Sequence, residues 1–366
     1  MMMVSFNAFG RTSLVCLIIS MAICLNFIGA FGSKKRRMPL APARPPPAWA
    51  FATLFTKSSV HDNNDSMSYL HQALVLGMQL QEAYPDTPRV VVLVEGQVSL
   101  SDAHELENIG GYRLLWRPLL RPPYPLVWPL APVYNDQFMK FWLWNMTDEY
   151  SHFVYLDSDT YFIPTLKVVD FDALVRLAVV DVVACPTTWS SLDADNRPIS
   201  WNGGFFIART STAMFGRLAH GTAHPSHFAT HSPRLAWLDS TEMGVFMREL
   251  PRYIIPPNAN EMCVDFASCC VDASKCILPA TAYVRAKYPP ANVKMVHFLK
   301  PYATSSHNND KNNRVEAIKG LFSHQARTVY EPQGYNSTCI LEDYVAPLAE
   351  YIVSKCSILK KILSLC

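Results

Sequence analysis

The sequence predicts an α/β domain, a mixed and mostly parallel sheet flanked by helices, behind an N-terminal transmembrane helix. Continuous β-branched runs such as RVVVLVEG (89–96) alternate with segments of helical periodicity. Of the 366 residues, 50% are hydrophobic and 17% charged, enough to build a sizeable core. Residues 13–32 are almost wholly apolar and carry no charge. An uninterrupted apolar strand is what a parallel sheet covered on both faces requires. Strand, helix and strand in that order imply a right-handed crossover.

Spanning a bilayer takes about 20 apolar residues, whereas a signal peptide has a shorter apolar centre and a small-residue cleavage site. Residues 13–32 therefore read as an uncleaved signal anchor after a short tail, 1–12. The stem, 33–47, carries Lys34, Lys35, Arg36 and Arg37 and then a proline run that favours a stiff, extended tether. Two signals oppose each other on orientation. Only Arg11 precedes the apolar stretch, so the positive-inside rule places the following domain in the cytosol. The sequons at Asn64, Asn145 and Asn336 point to the lumen instead. The cysteines Cys263, Cys269, Cys270 and Cys276 lack a zinc-type pair and suit a disulfide-stapled loop in an oxidising compartment. The expectation is a lumenal domain on a Golgi or other secretory membrane. A net charge of +2 without a basic stripe excludes nucleic acid as the partner.

The domain itself covers 48–330. AWAFATLFT (48–56) reads as a first buried strand. Residues 66–84 place Leu70, Leu74, Leu76, Met78 and Leu80 at helical spacing, with Ser66 as candidate cap. The second strand is 89–96. SLSDAHELENIG gives the next helix, stopped at Gly110-Gly111. Residues 117–134 hold six prolines and form a connection. Helical character resumes over 136–146. HFVYLDSDTYF (152–162) is a strand running into a loop, 178–186 a buried strand, 201–209 a turn feeding a strand, and 293–299 the last strand. The region 331–366 is amphipathic, a packing helix or a membrane-surface helix.

The apolar run Phe153–Leu156 stops abruptly at Asp157 and Asp159. In extended chain, residues i and i+2 face the same way, so the two carboxylates would converge with Ser158 turned away. Burying two unpaired charges is costly. A hard divalent cation, Mg²⁺ or Mn²⁺, removes the conflict. Ligands of open α/β sheets bind beyond the carboxyl ends of the strands, where this pair lies. A metal held by few carboxylates retains positions for phosphate oxygens and neutralises a diphosphate leaving group. That chemistry suits transfer of a sugar from a nucleotide. A D-x-D alone arises about once by composition in a chain this long, and a solvated polar turn has the same letters.

Several segments in order strengthen the case. FATLFT, YLHQALVLGMQLQ, VVVLVEGQVS, FMKFWLWNM, VYLDSDTYFI, WNGGFFIAR and VHFLKP together resemble the family 8 glycosyltransferases, the glycogenin-like group with the GT-A fold, over roughly residues 49–300. The resemblance implies that Asp157 and Asp159 bind Mn²⁺ with His297 as third protein ligand. It implies that Lys140 contacts the donor's phosphate or sugar, that Asn202, Gly203 and Gly204 hold the sugar hydroxyls, and that Lys300 reaches the diphosphate. Thr53 and Phe55 are candidates for the uracil pocket, and Ser158 is counted with the donor-binding residues. Where the family has D-Q-G, this chain has Glu242-Met243-Gly244; Glu242 is the expected catalytic carboxylate, with Asp239 the alternative. The His loop is also shortened, to His297-Phe-Leu-Lys300-Pro301-Tyr302.

The implied function is a retaining, Mn²⁺-dependent hexosyltransferase. It would use a UDP-sugar donor of the UDP-glucose type and a hydroxyl acceptor on a glycan, protein or lipid. The alternatives are a catalytically degenerate sugar-nucleotide or glycan-binding module and a metal-dependent phosphoesterase.

Overall fold

The computed structural model describes residues 48–56, 65–122, 132–162, 169–186, 201–222, 241–257, 259, 294–297, 350–351 and 354–355. The segments 1–12, 13–32 and 33–47, the Cys263–Cys276 cluster and Lys300 lie outside them. No helix of the described residues is long and apolar enough to cross a membrane.

A seven-stranded sheet runs in the order β3-β2-β1-β4-β7-β6-β8. Its strands are β1 (Trp49–Phe55), β2 (Arg89–Val94), β3 (Arg113–Arg117), β4 (His152–Leu156), β6 (Val182–Pro186), β7 (Trp201–Arg209) and β8 (Tyr253–Ile254). Strands β1 to β4 are mutually parallel. Strand β7 runs antiparallel to both β4 and β6, and β6 and β8 are parallel. The mixed, mostly parallel sheet is the one the sequence predicts. Two short strands, β5 (Thr160–Phe162) and β9 (Met295–His297), form a separate antiparallel pair.

The β-branched run of β2 is buried throughout Val90–Val94, as a strand covered on both faces must be. Helix α1 (Asp65–Ala83) and helix α2 (Leu100–Asn108) enclose one cluster with Phe55, Leu70, Leu74, Val91 and Leu93. Ser99 caps α2 by accepting from the Asp102 amide at 3.0 Å, and the chain leaves this helix through Gly111 at φ +67°, a conformation glycine adopts without steric penalty. On the opposite face lies a 3-10 helix, Pro132–Asn145. Its Phe138, Phe141 and Trp144 pack with Phe153, Tyr155, Trp201, Phe206 and Phe246.

Some expectations need correction. The segment 178–186 is not strand throughout. Helix α3 (Phe171–Leu177) occupies the approach, Val179 and Val180 are 58% and 81% exposed, and β6 begins only at Val182. Strand β3 and helices α3, α4 (Thr212–Thr222) and α5 (Glu242–Glu249) complete the fold. Near the C-terminus, Lys355 pairs with Glu82 at the end of α1, a packing contact for that residue.

Candidate functional site

The parallel strands β1, β2 and β4 end on one edge of the sheet. Strand β7, being reversed, begins there. The register continues past β4: the Asp157 amide donates to the Gly204 carbonyl at 2.8 Å. Asp157 and the Asn202-Gly203-Gly204 segment are therefore joined by the sheet itself.

Asp157, Ser158 and Asp159 do not continue the strand. They form a turn closed by the Thr160 amide donating to the Asp157 carbonyl at 2.9 Å. The extended-chain reason for the two carboxylates to converge thus fails, and Ser158 and Asp159 are each 8% exposed. What gathers this segment is the turn, followed by β5. Strand β5 is held from two sides. Gln79 of α1 donates to the Phe162 carbonyl at 2.8 Å and accepts from the Phe162 amide at 3.0 Å. On the other side β9 pairs His297 with Thr160. The His297 backbone therefore lies opposite the residue that follows Asp159; its side chain lies outside the described ones.

Asn202, Gly203 and Gly204 are in-strand residues of β7 rather than a turn. Gly203 has no positive φ among the described residues. Glycine is required there by close approach. A Cβ at Gly203 would sit 2.7 Å from Met243 Sδ, 3.2 Å from Glu242 Oε1 and 3.6 Å from Lys140 Nζ. The Asn202 side chain accepts from the Gly204 amide at 2.7 Å.

The centre of the site is Lys140. Its ammonium is 2% exposed and lies 3.1 Å from Glu242 Oε1 and 3.2 Å from Asp157 Oδ1. It also donates to the Gly203 carbonyl at 3.0 Å and stands 5.0 Å from the centre of the Tyr155 ring. Burial alone would lower the lysine pKa, but Asp157 and Glu242 overcome it and the net shift is upward. Glu242 is pushed up by burial, an effect that Lys140 only partly offsets. Both carboxylate and ammonium are held by packing. Lys140 hangs from the 3-10 helix, and Glu242 stands in the first turn of α5, whose cap Thr241 accepts from the Met243 amide at 3.3 Å. Trp201 stacks on Phe246 of α5 at 4.7 Å, and Tyr155 on Phe206 at 4.9 Å.

Of the predicted residues, the structure gathers Lys140, Asp157, Gly203 and Glu242 directly. Thr53 and Phe55 are core residues of β1, 1% and 3% exposed, and Thr53 Oγ1 has no hydrogen-bond partner. Asp239 lies outside the described residues. Sequence reasoning missed two groups. Tyr155 donates its hydroxyl to Asp157 Oδ1; its place two residues before the first aspartate was the available signal. Asp136, 1% exposed one turn before Lys140, has Arg121 at 3.4 Å from Oδ1 and the Thr56 side chain as a further hydrogen-bond partner.

The turn carries the carboxylates of Asp157 and Asp159, oxygen ligands of the kind a hard divalent cation takes. Among the described residues no three His, Cys, Asp or Glu side chains form a ready metal site.

No family model matches the chain, and no curated protein matches it. Similar solved structures include the galactosyltransferase LgtC in complex with donor and acceptor sugar analogues, at 12% identity and TM-score 0.45 over 72% of this chain and 90% of that one. The apo WbbM bifunctional glycosyltransferase has 12% identity and TM-score 0.43 over 81% of this chain, which spans little more than half, 56%, of WbbM. Mouse xyloside xylosyltransferase 1 has 11% identity and TM-score 0.41, covering 72% of this chain and 100% of that one. All three TM-scores are below 0.5, and the function proposed for the site rests on its own residues.

Proposed function

We propose that this chain is a retaining hexosyltransferase of the GT-A type that moves a sugar from a UDP-sugar to a hydroxyl acceptor with Mn²⁺ or Mg²⁺. The observation that carries the reading is the buried cluster of Lys140, Asp157, Glu242 and the Gly203 carbonyl at the carboxyl ends of a mostly parallel sheet. A buried lysine shared by two carboxylates is expensive to assemble for structure alone, and this edge is where open α/β sheets bind ligands.

Asp157 and Asp159, with His297 from β9, would hold the metal, which when bound supplies positive charge to the diphosphate of the donor. The pairing of Thr160 with His297 supports that set. Lys140 adds a fixed cation beside the leaving group, where a preorganised donor is worth on the order of 10²–10³ in rate. Of the Asn202-Gly203-Gly204 segment, half-buried Asn202 is the residue placed to meet the sugar, because Gly203 and Gly204 are buried and their carbonyls already accept from Lys140 and the Asp157 amide. Glu242, nine-tenths buried against Lys140, orients the ammonium and faces the same point. Apolar Met243 lies against Gly203.

Cys185 is disulfide-bonded, its partner lying outside the described residues. Disulfides persist in oxidising compartments, which supports a lumenal domain anchored through residues 13–32. A mass shift at Asn145 on glycosidase treatment tests that placement; protease access to the domain in sealed microsomes would refute it.

The function is tested by hydrolysis of a panel of UDP-sugars with and without Mn²⁺. The expected result is Mn²⁺-dependent UDP release that Asp157→Asn abolishes. Wild type as silent as the variant with every donor would leave the binding module. Phosphate release from simple monoesters would mark a phosphoesterase.

A further inference from the structure

We propose that Lys140 and a divalent metal are rivals for Asp157, and that metal binding frees one N–H of Lys140 for the donor. The inference rests on the reading of Asp157 and Asp159 as metal ligands. An ammonium has three N–H donors and no acceptor. Around Lys140 Nζ stand three protein oxygens: the Gly203 carbonyl at 3.0 Å, Glu242 Oε1 at 3.1 Å and Asp157 Oδ1 at 3.2 Å. With the side chain 2% exposed, the ammonium is fully committed. A diphosphate or sugar oxygen gains a proton from it only by displacing one of the three.

The three differ in how readily they let go. The Gly203 carbonyl belongs to a strand inside the sheet. The Glu242 side chain is 6% exposed, and stripping it of its cation leaves a buried charge uncompensated. The Asp157 side chain is 26% exposed and already accepts the Tyr155 hydroxyl. It is also the one a metal would take, and a divalent cation at Asp157 repels the ammonium while replacing its charge. Lys140 then keeps Glu242 and Gly203 and turns its third N–H to the donor. Metal and donor binding are coupled through one lysine, and Glu242 serves as the pivot that keeps Lys140 in place.

The test is Mn²⁺ affinity without nucleotide, read from the paramagnetic signal of free Mn²⁺, on the full chain. Lys140→Met is expected to bind Mn²⁺ roughly tenfold or more tightly, because a unit positive charge a few ångströms from the metal is removed. UDP affinity at saturating Mn²⁺ is expected to fall in the same variant. Should Lys140→Met fail to fold, Lys140→Met/Glu242→Gln removes one charge of each sign and is compared with Glu242→Gln alone, with the same tightening expected. Unchanged or weaker Mn²⁺ binding on loss of Lys140, with wild type binding normally, overturns the rivalry and leaves the metal reading standing. Wild type that binds no Mn²⁺ up to millimolar concentration overturns both.

Discussion

Gly203→Ala adds one methyl group at the most crowded point of the site. The backbone accepts it, since Gly203 lies in β7 and is not among the positive-φ glycines of the described residues. In a strand interior alanine is favoured over glycine by about 0.5–1 kcal/mol. Against that gain stands the new Cβ, 2.7 Å from Met243 Sδ and 3.2 Å from Glu242 Oε1. Overpacking of this size costs about 1–3 kcal/mol, and the flexible thioether yields more readily than a branched side chain. The expected net loss of stability is therefore modest, about 1 kcal/mol, from the difference of the two effects. Activity should suffer far more. Pushing Met243 and Glu242 moves Lys140, and a displacement near 1 Å at a reacting centre costs on the order of 10² in rate. Denaturant unfolding and UDP-sugar turnover measure the two losses separately. A double-mutant cycle with Met243→Ala locates the strain: the added methyl should be tolerated better once Met243 is shortened, with a coupling of about 1 kcal/mol for side chains in contact. A Gly203→Ala enzyme with wild-type turnover, or a cycle with no coupling, would refute the contact between Gly203 and the Lys140–Glu242 pair as the reason for glycine here.

Gln79→Leu removes both hydrogen bonds to the Phe162 backbone. It should cost about 2–6 kcal/mol, since each of the two stranded polar groups carries roughly 1–3 kcal/mol, and raise the Mn²⁺ concentration needed for half activity by loosening β5. Unfolding and a metal titration on the same sample check both. Asp136→Asn should stabilise the fold at pH 7 by about 1 kcal/mol, the low end of the desolvation penalty of a buried polar group, because Arg121 and Thr56 offset the buried charge only in part. Burial raises the Asp136 pKa above its ordinary value of 3.8 despite Arg121. The folded state thus prefers the proton, so its penalty is absent below the ordinary value and complete above the raised one. The gain should accordingly vanish as melting is repeated toward pH 3.8; a gain independent of pH would exclude relief of that charge.

How much of this was legible in the sequence depends on whether one segment carries the whole signal. Strands β1, β2 and β4 are runs of apolar residues long enough to declare themselves, and the parallel pairing of β1 with β2 followed from the helix between them. Strand β3, RLLWR, begins and ends in arginine and buries apolar residues on both faces: Leu115 joins the cluster of the 3-10 helix, while Leu114 and Trp116 pack against that of α2. Helix α3 is only seven residues long, too short for periodicity to register, so the residues that leave it, 178–181, read as the start of the β6 run.

The site was legible in its types and not in its geometry. The letters D-x-D predicted carboxylates at a strand end, but the structure bends them into a turn. N-G-G predicted a turn, but the structure keeps it straight. Both errors have one origin: glycine and aspartate each serve two purposes, conformational and spatial, and a single sequence does not separate them. Gly203 is there because Lys140, Glu242 and Met243 need the space of its missing side chain. Lys140 and Glu242 are 102 residues apart in the chain, so no local window relates them. The charges meet because the elements that carry them, the 3-10 helix and α5, pack into one cluster through Trp144 and Phe246. The consequence is physical. A lysine placed at random on an aromatic helix would extend its charge to water, and this one does not because two carboxylates and a carbonyl replace its hydration. On the proposed reading, a donor oxygen that takes a proton from Lys140 displaces one of these three oxygens, which ties donor binding to the lysine as well as to the aspartates.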